Sequence, residues 1–154
     1  MPVPENVRTI ESYAFNHCDN LVIDRLTTKD RGIGSHAFYN VTLKEVELSE
    51  SFEPAQNNWA SFFGAKVEKL SFEEGITRIP ARSMADSTVL SEADIPDSVT
   101  VIEENAFAGC GDLVNVRIPD SVEQIGAYAF WNCDSLTDIS MPDDIAVIGR
   151  NAFN

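Results

Sequence analysis

The chain has 154 residues, 44% of them hydrophobic, which is enough for one domain to close a core without disulfides or metal. Eleven Lys and Arg stand against 25 Asp and Glu, and a net charge of −14 argues against binding nucleic-acid backbones or anionic membranes by charge attraction. No apolar run approaches the roughly 18 residues of a membrane span, the start MPVPENVRTI lacks the regions of an export signal, and three Cys without a CxxC spacing indicate neither a disulfide framework nor a zinc site. The charge is uneven: residues 1–82 carry 9 basic and 12 acidic groups, residues 83–154 only 2 and 13.

Read from the N-terminus, the predicted elements recur with a period close to 23 residues. Phe15, Phe38, Phe62, Met84, Phe107, Phe130 and Phe153 form one register, with Ile10, Ile33, Ile79, Ile102, Ile125 and Ile148 five residues before them. A second apolar triplet, spaced three then two, reads Leu43, Val46, Leu48, then Val67, Leu70, Phe72, and continues at Leu90, Leu113 and Leu136. Its alternating end predicts a short strand with one face buried. The first unit fits less well, with Leu21 and Leu26 in register but Asp24 between them. From Val99 to Phe107, and from Val122 to Phe130, the apolar spacing predicts a compact helical or 3-10 turn. The stretch 49–64, with Trp59, Phe62 and Phe63, is irregular, and its aromatic residues are expected to plug the core at a broken repeat. A single unit has too little apolar surface to stand alone, so neighbours must stack and share one core.

The stretch LVNVRIPDSVEQIGAYAFWNC, residues 113–133, resembles the BspA-type leucine-rich repeats. The resemblance covers nearly the whole chain and is clearest from residue 90 onward. It implies one leucine-rich repeat solenoid over 1–154, of about six to seven units, with a parallel sheet on a concave face and short helical or 3-10 segments on a convex face. It also implies a bacterial or protist surface or secreted protein that binds other proteins, without catalysis or cofactor. Neither end carries a polar capping unit, the pattern of a piece of a longer array or of ends that self-associate.

Several local patterns have simpler readings. Cys18, Cys110 and Cys133 each follow their anchor by three residues and are expected to be buried core thiols. The segment GIGSHA, 32–37, imitates a dinucleotide fingerprint, but a 23-residue period leaves no room for a βαβ unit, and Gly34 falls in the register of Gly126 and Gly149. His17 and His36 are the only histidines, and neither has an acidic partner and nucleophile placed by the sequence. Asn40-Val41-Thr42 is a glycosylation sequon by pattern only.

Two surfaces remain. After the strand, Glu5, Glu50, Glu74, Asp97, Asp120 and Asp143 occupy one register interrupted at Thr28. Stacked carboxylates repel, and the simplest reading is turn residues that accept backbone N–H bonds beside Pro96, Pro119 and Pro142. The outward strand positions give Ile23, Arg25, Glu45, Glu47, Lys69, Glu92, Asp94, Asn115, Arg117 and Asp138 on the concave face, a mixed and mostly acidic strip suited to a protein partner, with a basic one favoured. A cell-surface or extracellular site follows from the resemblance. If Met1 is the native start, a small acidic cytoplasmic inhibitor or nucleic-acid mimic that occupies a basic site is the alternative.

Overall fold

The computed structural model describes residues 2–54 and 60–154; Trp59 lies outside them. Among the described residues no strand is longer than three residues, so each gains its stability by stacking on its equivalents. All pairings are parallel. On one side run three ladders: Val22–Ile23, Thr42–Leu43 and Lys66–Val67; then Leu26–Thr27, Val46–Leu48 and Leu70–Phe72; and, further along, Glu92–Asp94, Asn115–Arg117 and Asp138–Ser140. After each turn the chain forms a second short strand: Thr9–Ile10, Gly32–Ile33 and Glu53–Pro54, then Arg78–Ile79, Val101–Ile102, Gln124–Ile125 and Val147–Ile148. Pro54 has no N–H to give a further ladder, and its strand lies at an edge.

The predicted helical segments are absent: the described residues contain no helix, and the stretch from Val99 to Phe107 starts with a strand and continues as turns. Hydrogen bonding explains the difference. Ala14, Asn16 and Cys18 donate N–H within their unit, to Glu11, Tyr13 and Phe15, while Tyr13, Phe15 and His17 donate to Ser35, Ala37 and Tyr39 of the next. The same alternation holds from Asn105 to Cys110. A helix keeps its N–H groups inside one segment; here every second one ties two units together. Residues two before and two after the anchors adopt left-handed backbone, as at Tyr13 and His17, His36 and Asn40, Arg82 and Asp86, and Tyr128 and Asn132. That conformation interrupts a right-handed helix at each site.

Between the two sides lies a ladder of anchor rings. Phe15 stacks on Phe38 at 5.5 Å and Phe38 on Phe62 at 5.9 Å. Phe107, Phe130 and Phe153 follow at 5.2 Å with planes 4° apart. Met84, fully buried, bridges the two runs. Phe52, from the irregular stretch, is also buried and lies tilted against Phe62 at 6.0 Å, so these two rings fill the core, while Phe63 is half-buried.

The first unit is in a different register from the predicted one. Ile23 pairs with Leu43 and Leu26 with Val46, a step of 20 residues. The inward triplet is therefore Ile23, Leu26 and Thr28, all buried, and Asp24 is an exposed residue outside it. Thr28 takes the last inward place because its hydroxyl accepts the N–H of Ser49 at 2.8 Å.

The cysteine column is partly as expected. The Cys110 thiol donates to the Met84 carbonyl and the Cys133 thiol to that of Phe107, each the anchor of the preceding unit. Burial raises the Cys110 pKa well above the usual thiol value and pushes Cys133 up to about 11. Cys18 departs from the expectation and is exposed, and Cys133 is only half-buried. Cys18 is thus expected to react first with a chromogenic disulfide at pH 8, half-buried Cys133 more slowly and Cys110 only on unfolding; release of three equivalents from native protein in one fast phase would contradict this placement.

Ser87 occupies this same column in the fourth unit, fully buried, with no partner for its hydroxyl among the described residues. An unsatisfied buried hydroxyl is destabilising. Ser87→Ala is expected to raise the unfolding free energy by about 1 kcal/mol in urea titrations. A loss of similar size would show that the hydroxyl has a partner.

Between the third and fourth units the strand ladders stop, and a single bridge, Lys66 to Thr88, connects the two sides. Lys66 to Thr88 is a step of 22 residues, while buried Val67 and Leu90 are 23 apart. The extra residue is Val89, exposed and left-handed at φ 62°, a strained position for a β-branched side chain.

Candidate interaction surface

Parallel pairing in register sorts the outward side chains of the strand face into columns. In the first half one column runs Asp24, Lys44, Glu68 and the next Arg25, Glu45, Lys69, each alternating in sign. The charges compensate one another: Lys44 Nζ lies 3.1 Å from Asp24, Arg25 bonds Glu47 at 2.8 Å, Lys69 approaches Glu45 at 3.6 Å, and Lys29 pairs with Glu73. Lys44 holds the Asp24 carboxyl below its ordinary value, Lys29 does the same for Glu73, and the Ser71 hydroxyl, with Lys69 as a smaller contribution, lowers Glu45. Opposite charges on adjacent strands stabilise the ladder only weakly where they are exposed to solvent.

The second half differs. Its columns are Glu92, Asn115, Asp138 and Asp94, Arg117, Ser140. Arg117 is the only basic residue among them, and it bonds Asp97 at 2.7 Å and approaches Asp94 at 3.4 Å, which raises its pKa. Among the described residues Glu92 and Asp138 have no cationic partner. These side chains are exposed, while Ala93 and Val116 between them point into the core. All nine strand-face residues predicted as partner contacts thus lie on one side, and only Ile23, predicted outward with them, is buried.

The acidic column is continuous. With the first unit in its observed register, Asp30 stands four residues after Leu26, as Glu50 does after Val46 and Glu74 after Leu70, so the interruption at Thr28 disappears. Among the described residues the carboxylates beside Pro96, Pro119 and Pro142 are not held by backbone N–H groups as predicted, whereas Glu50 does accept one, from Thr77 at 3.4 Å. Glu50 accepts from the Thr77 hydroxyl at 2.6 Å, Asp97 from Arg117, and among the described residues no donor reaches Asp120 or Asp143. Asp30, Glu73 and the first alternating column were not legible beforehand; counting the three-two spacing from Ile23 instead of Leu21 would have found them.

Gly34 has no cofactor geometry. A Cβ there would lie 2.3 Å from the Ser12 nitrogen, so the glycine permits the backbones of neighbouring units to touch. His36, beside it, stacks on Tyr13 at 5.1 Å and packs against Phe63 at 4.7 Å.

A family model described as the BspA type leucine-rich repeat region matches the chain in 6 copies, over residues 1–60 and 58–154. The chain belongs to the BspA-type leucine-rich repeat family. No curated protein matches it. Among solved structures, the BspA-type chain is similar to a leucine-rich cell surface protein of Faecalibacterium prausnitzii, at 26% identity and a TM-score of 0.51, covering 91% of this chain and 31% of that one. It shares the fold of a leucine-rich repeat protein of Bacteroides ovatus, at 24% identity and a TM-score of 0.66, covering 94% of this chain and 37% of that one. This BspA-type module therefore spans about a third of the length of these relatives.

Proposed function

We propose that this BspA-type module is a protein-binding element of a bacterial surface or secreted protein, and that the second half of its strand face makes the contact. The observation that carries this reading is the pair of uncompensated carboxylates, Glu92 and Asp138, held on a ladder whose inward side is buried. Flanked by Asp94 and Asn115, they favour a partner that presents Lys or Arg. The first half, already neutralised pair by pair, serves as its rigid support. The bacterial cell-surface relative supports the setting.

The test is a pull-down in parallel from bacterial lysate and mammalian cell-surface extract, comparing wild type with a Glu92→Lys, Asp94→Lys, Asp138→Lys variant. Capture of a surface protein by wild type alone is the expected result. A basic cytoplasmic protein, released at moderate salt, would favour the acidic inhibitor reading instead, and equal capture by both forms would exclude this face.

A further inference from the structure

The break between the third and fourth units leaves two strand edges facing each other without a ladder between them. Where Val46–Leu48 pairs with Leu70–Phe72, Val46 donates its N–H to the Lys69 carbonyl and Glu73 donates to that of Leu48, so the backbone groups of Lys69, Ser71 and Glu73 face the preceding unit. Alternation along the strand turns the N–H and carbonyl groups of Leu70 and Phe72 the other way, toward the fourth unit. In the fourth unit Ile95 donates to Arg117 and Ser91 accepts from Asn115, so the groups of Ser91, Ala93 and Ile95 face the fifth unit and those of Glu92 and Asp94 face back. Among the described residues these two facing sets have no hydrogen-bond partner.

The apolar side of the same edge is short of cover. Leu70 and Phe72 are half-buried, whereas Val46, Leu48, Val116 and Ile118, their equivalents in intact ladders, are buried. On the outward side Glu92 and Asp94 flank the break from one edge; opposite them stand Ser71, uncharged, and Lys69, whose charge Glu45 already meets at 3.6 Å. A strand seated here needs its two neighbours roughly 9.6 Å apart, two strand spacings. No ladder joins the two edges among the described residues, so spreading them to that width breaks no bond between strands.

We infer that this break accepts an extended segment of the partner protein, inserted as a strand between Leu70–Phe72 and Glu92–Asp94. Main-chain bonds to both edges supply the affinity, and alternate side chains supply the selectivity. Apolar residues of the segment turn inward and cover Leu70 and Phe72; Lys or Arg residues turn outward beside Glu92 and Asp94. The inference rests on the proposed strand-face contact with a basic partner and adds the form of the ligand, a short stretch in which apolar and basic residues alternate.

The probe is an acetylated and amidated peptide, Val-Lys-Val-Lys-Val-Lys-Val, titrated to about 1 mM into the 154-residue protein with amide exchange followed by NMR. In the free protein the amides of Leu70, Phe72, Glu92 and Asp94 are expected to exchange without protection, and the peptide to slow all four by about tenfold or more. The same peptide N-methylated on its valines keeps its charge but loses main-chain donors, and is expected to bind at least about tenfold more weakly. Equal binding of the two peptides with the four amides unprotected would overturn insertion while leaving the charge contact on the strand face in place. Absence of binding by both peptides would overturn it too, as would protection of these amides in the free protein, whether by a closed gap or by a second copy. A Glu92→Gln, Asp94→Asn variant is expected to bind the first peptide several-fold more weakly. Unchanged affinity with the amides of Leu70 and Phe72 protected would uphold insertion and remove the acidic strand-face contact instead.

Discussion

Phe107→Ala is expected to lower the unfolding free energy by about 3–5 kcal/mol, the cost of an emptied aromatic site in a packed core. Phe107 is fully buried and stacked on Phe130, and Met84, the anchor of the preceding unit, is fully buried as well, so truncation empties a closed site. Phe153 occupies the same register but is 37% exposed, and Phe153→Ala is expected to cost less than half as much. Denaturant titration of both variants checks the pair. Equal losses would mean that the ring ladder is not the structural spine.

The second large effect is expected at Gly126. A Cβ there would stand 2.6 Å from the carbonyl carbon of Glu103 and from the nitrogen of Glu104, backbone atoms that cannot withdraw without separating two units. Gly126→Val is expected to cost about 3 kcal/mol, and Gly111→Ala, with no atom within 4 Å of the added carbon, less than about 0.5 kcal/mol. The same titration reads both, and a neutral Gly126→Val would show that adjacent units are free to move apart. At the equivalent position the fourth unit's neighbour carries Glu103, whose carboxylate turns aside to accept the Ala81 N–H at 2.9 Å and to pair with Arg78 at 2.7 Å. A side chain is accommodated there because it finds local partners.

The period, the anchor register and the inward strand positions from Leu43 to Ile118 were legible in the sequence, because burial recurs every 23 residues, with Leu70 and Phe72 only half-buried; of the last triplet, Leu136 and Ile139 are half-buried and Met141 is exposed. Two things were not. The spacing of Val99, Ile102 and Phe107 fixes which side chains face inward but not where the intervening N–H groups point, and those groups decide between helix and stacked turns. The first unit was misread because Thr28, a polar residue, takes an inward place by bonding to Ser49, so an apolar count slid to Leu21 and made Asp24 look like a core position. For the candidate surface, the outward residues followed from alternation, with Ile23 the exception. Their pairing did not: Arg25 with Glu47, or Arg117 with Asp97, depends on the stagger of units one step apart.

The break at Val89 bears on how the molecule comes apart. A stack of repeats behaves as a row of units coupled to their nearest neighbours, and its cooperativity extends only as far as that coupling is uniform. On the strand face the ladder ends at Phe72 and resumes at Glu92, on the turn side it ends at Pro54 and resumes at Arg78, and the coupling is carried by the Lys66–Thr88 bridge, the Gly64 N–H bonded to the Asp86 carbonyl, and the bonds of Thr77 and Arg78 to Glu50. The stack is therefore expected to open as two foldons, with Arg78–Asp86 moving with the second half to which its strand and turns are bonded, so that the hydrogen-bonded amide protons of Leu70–Phe72 and of Arg78–Ile79 exchange through separate openings rather than one global event.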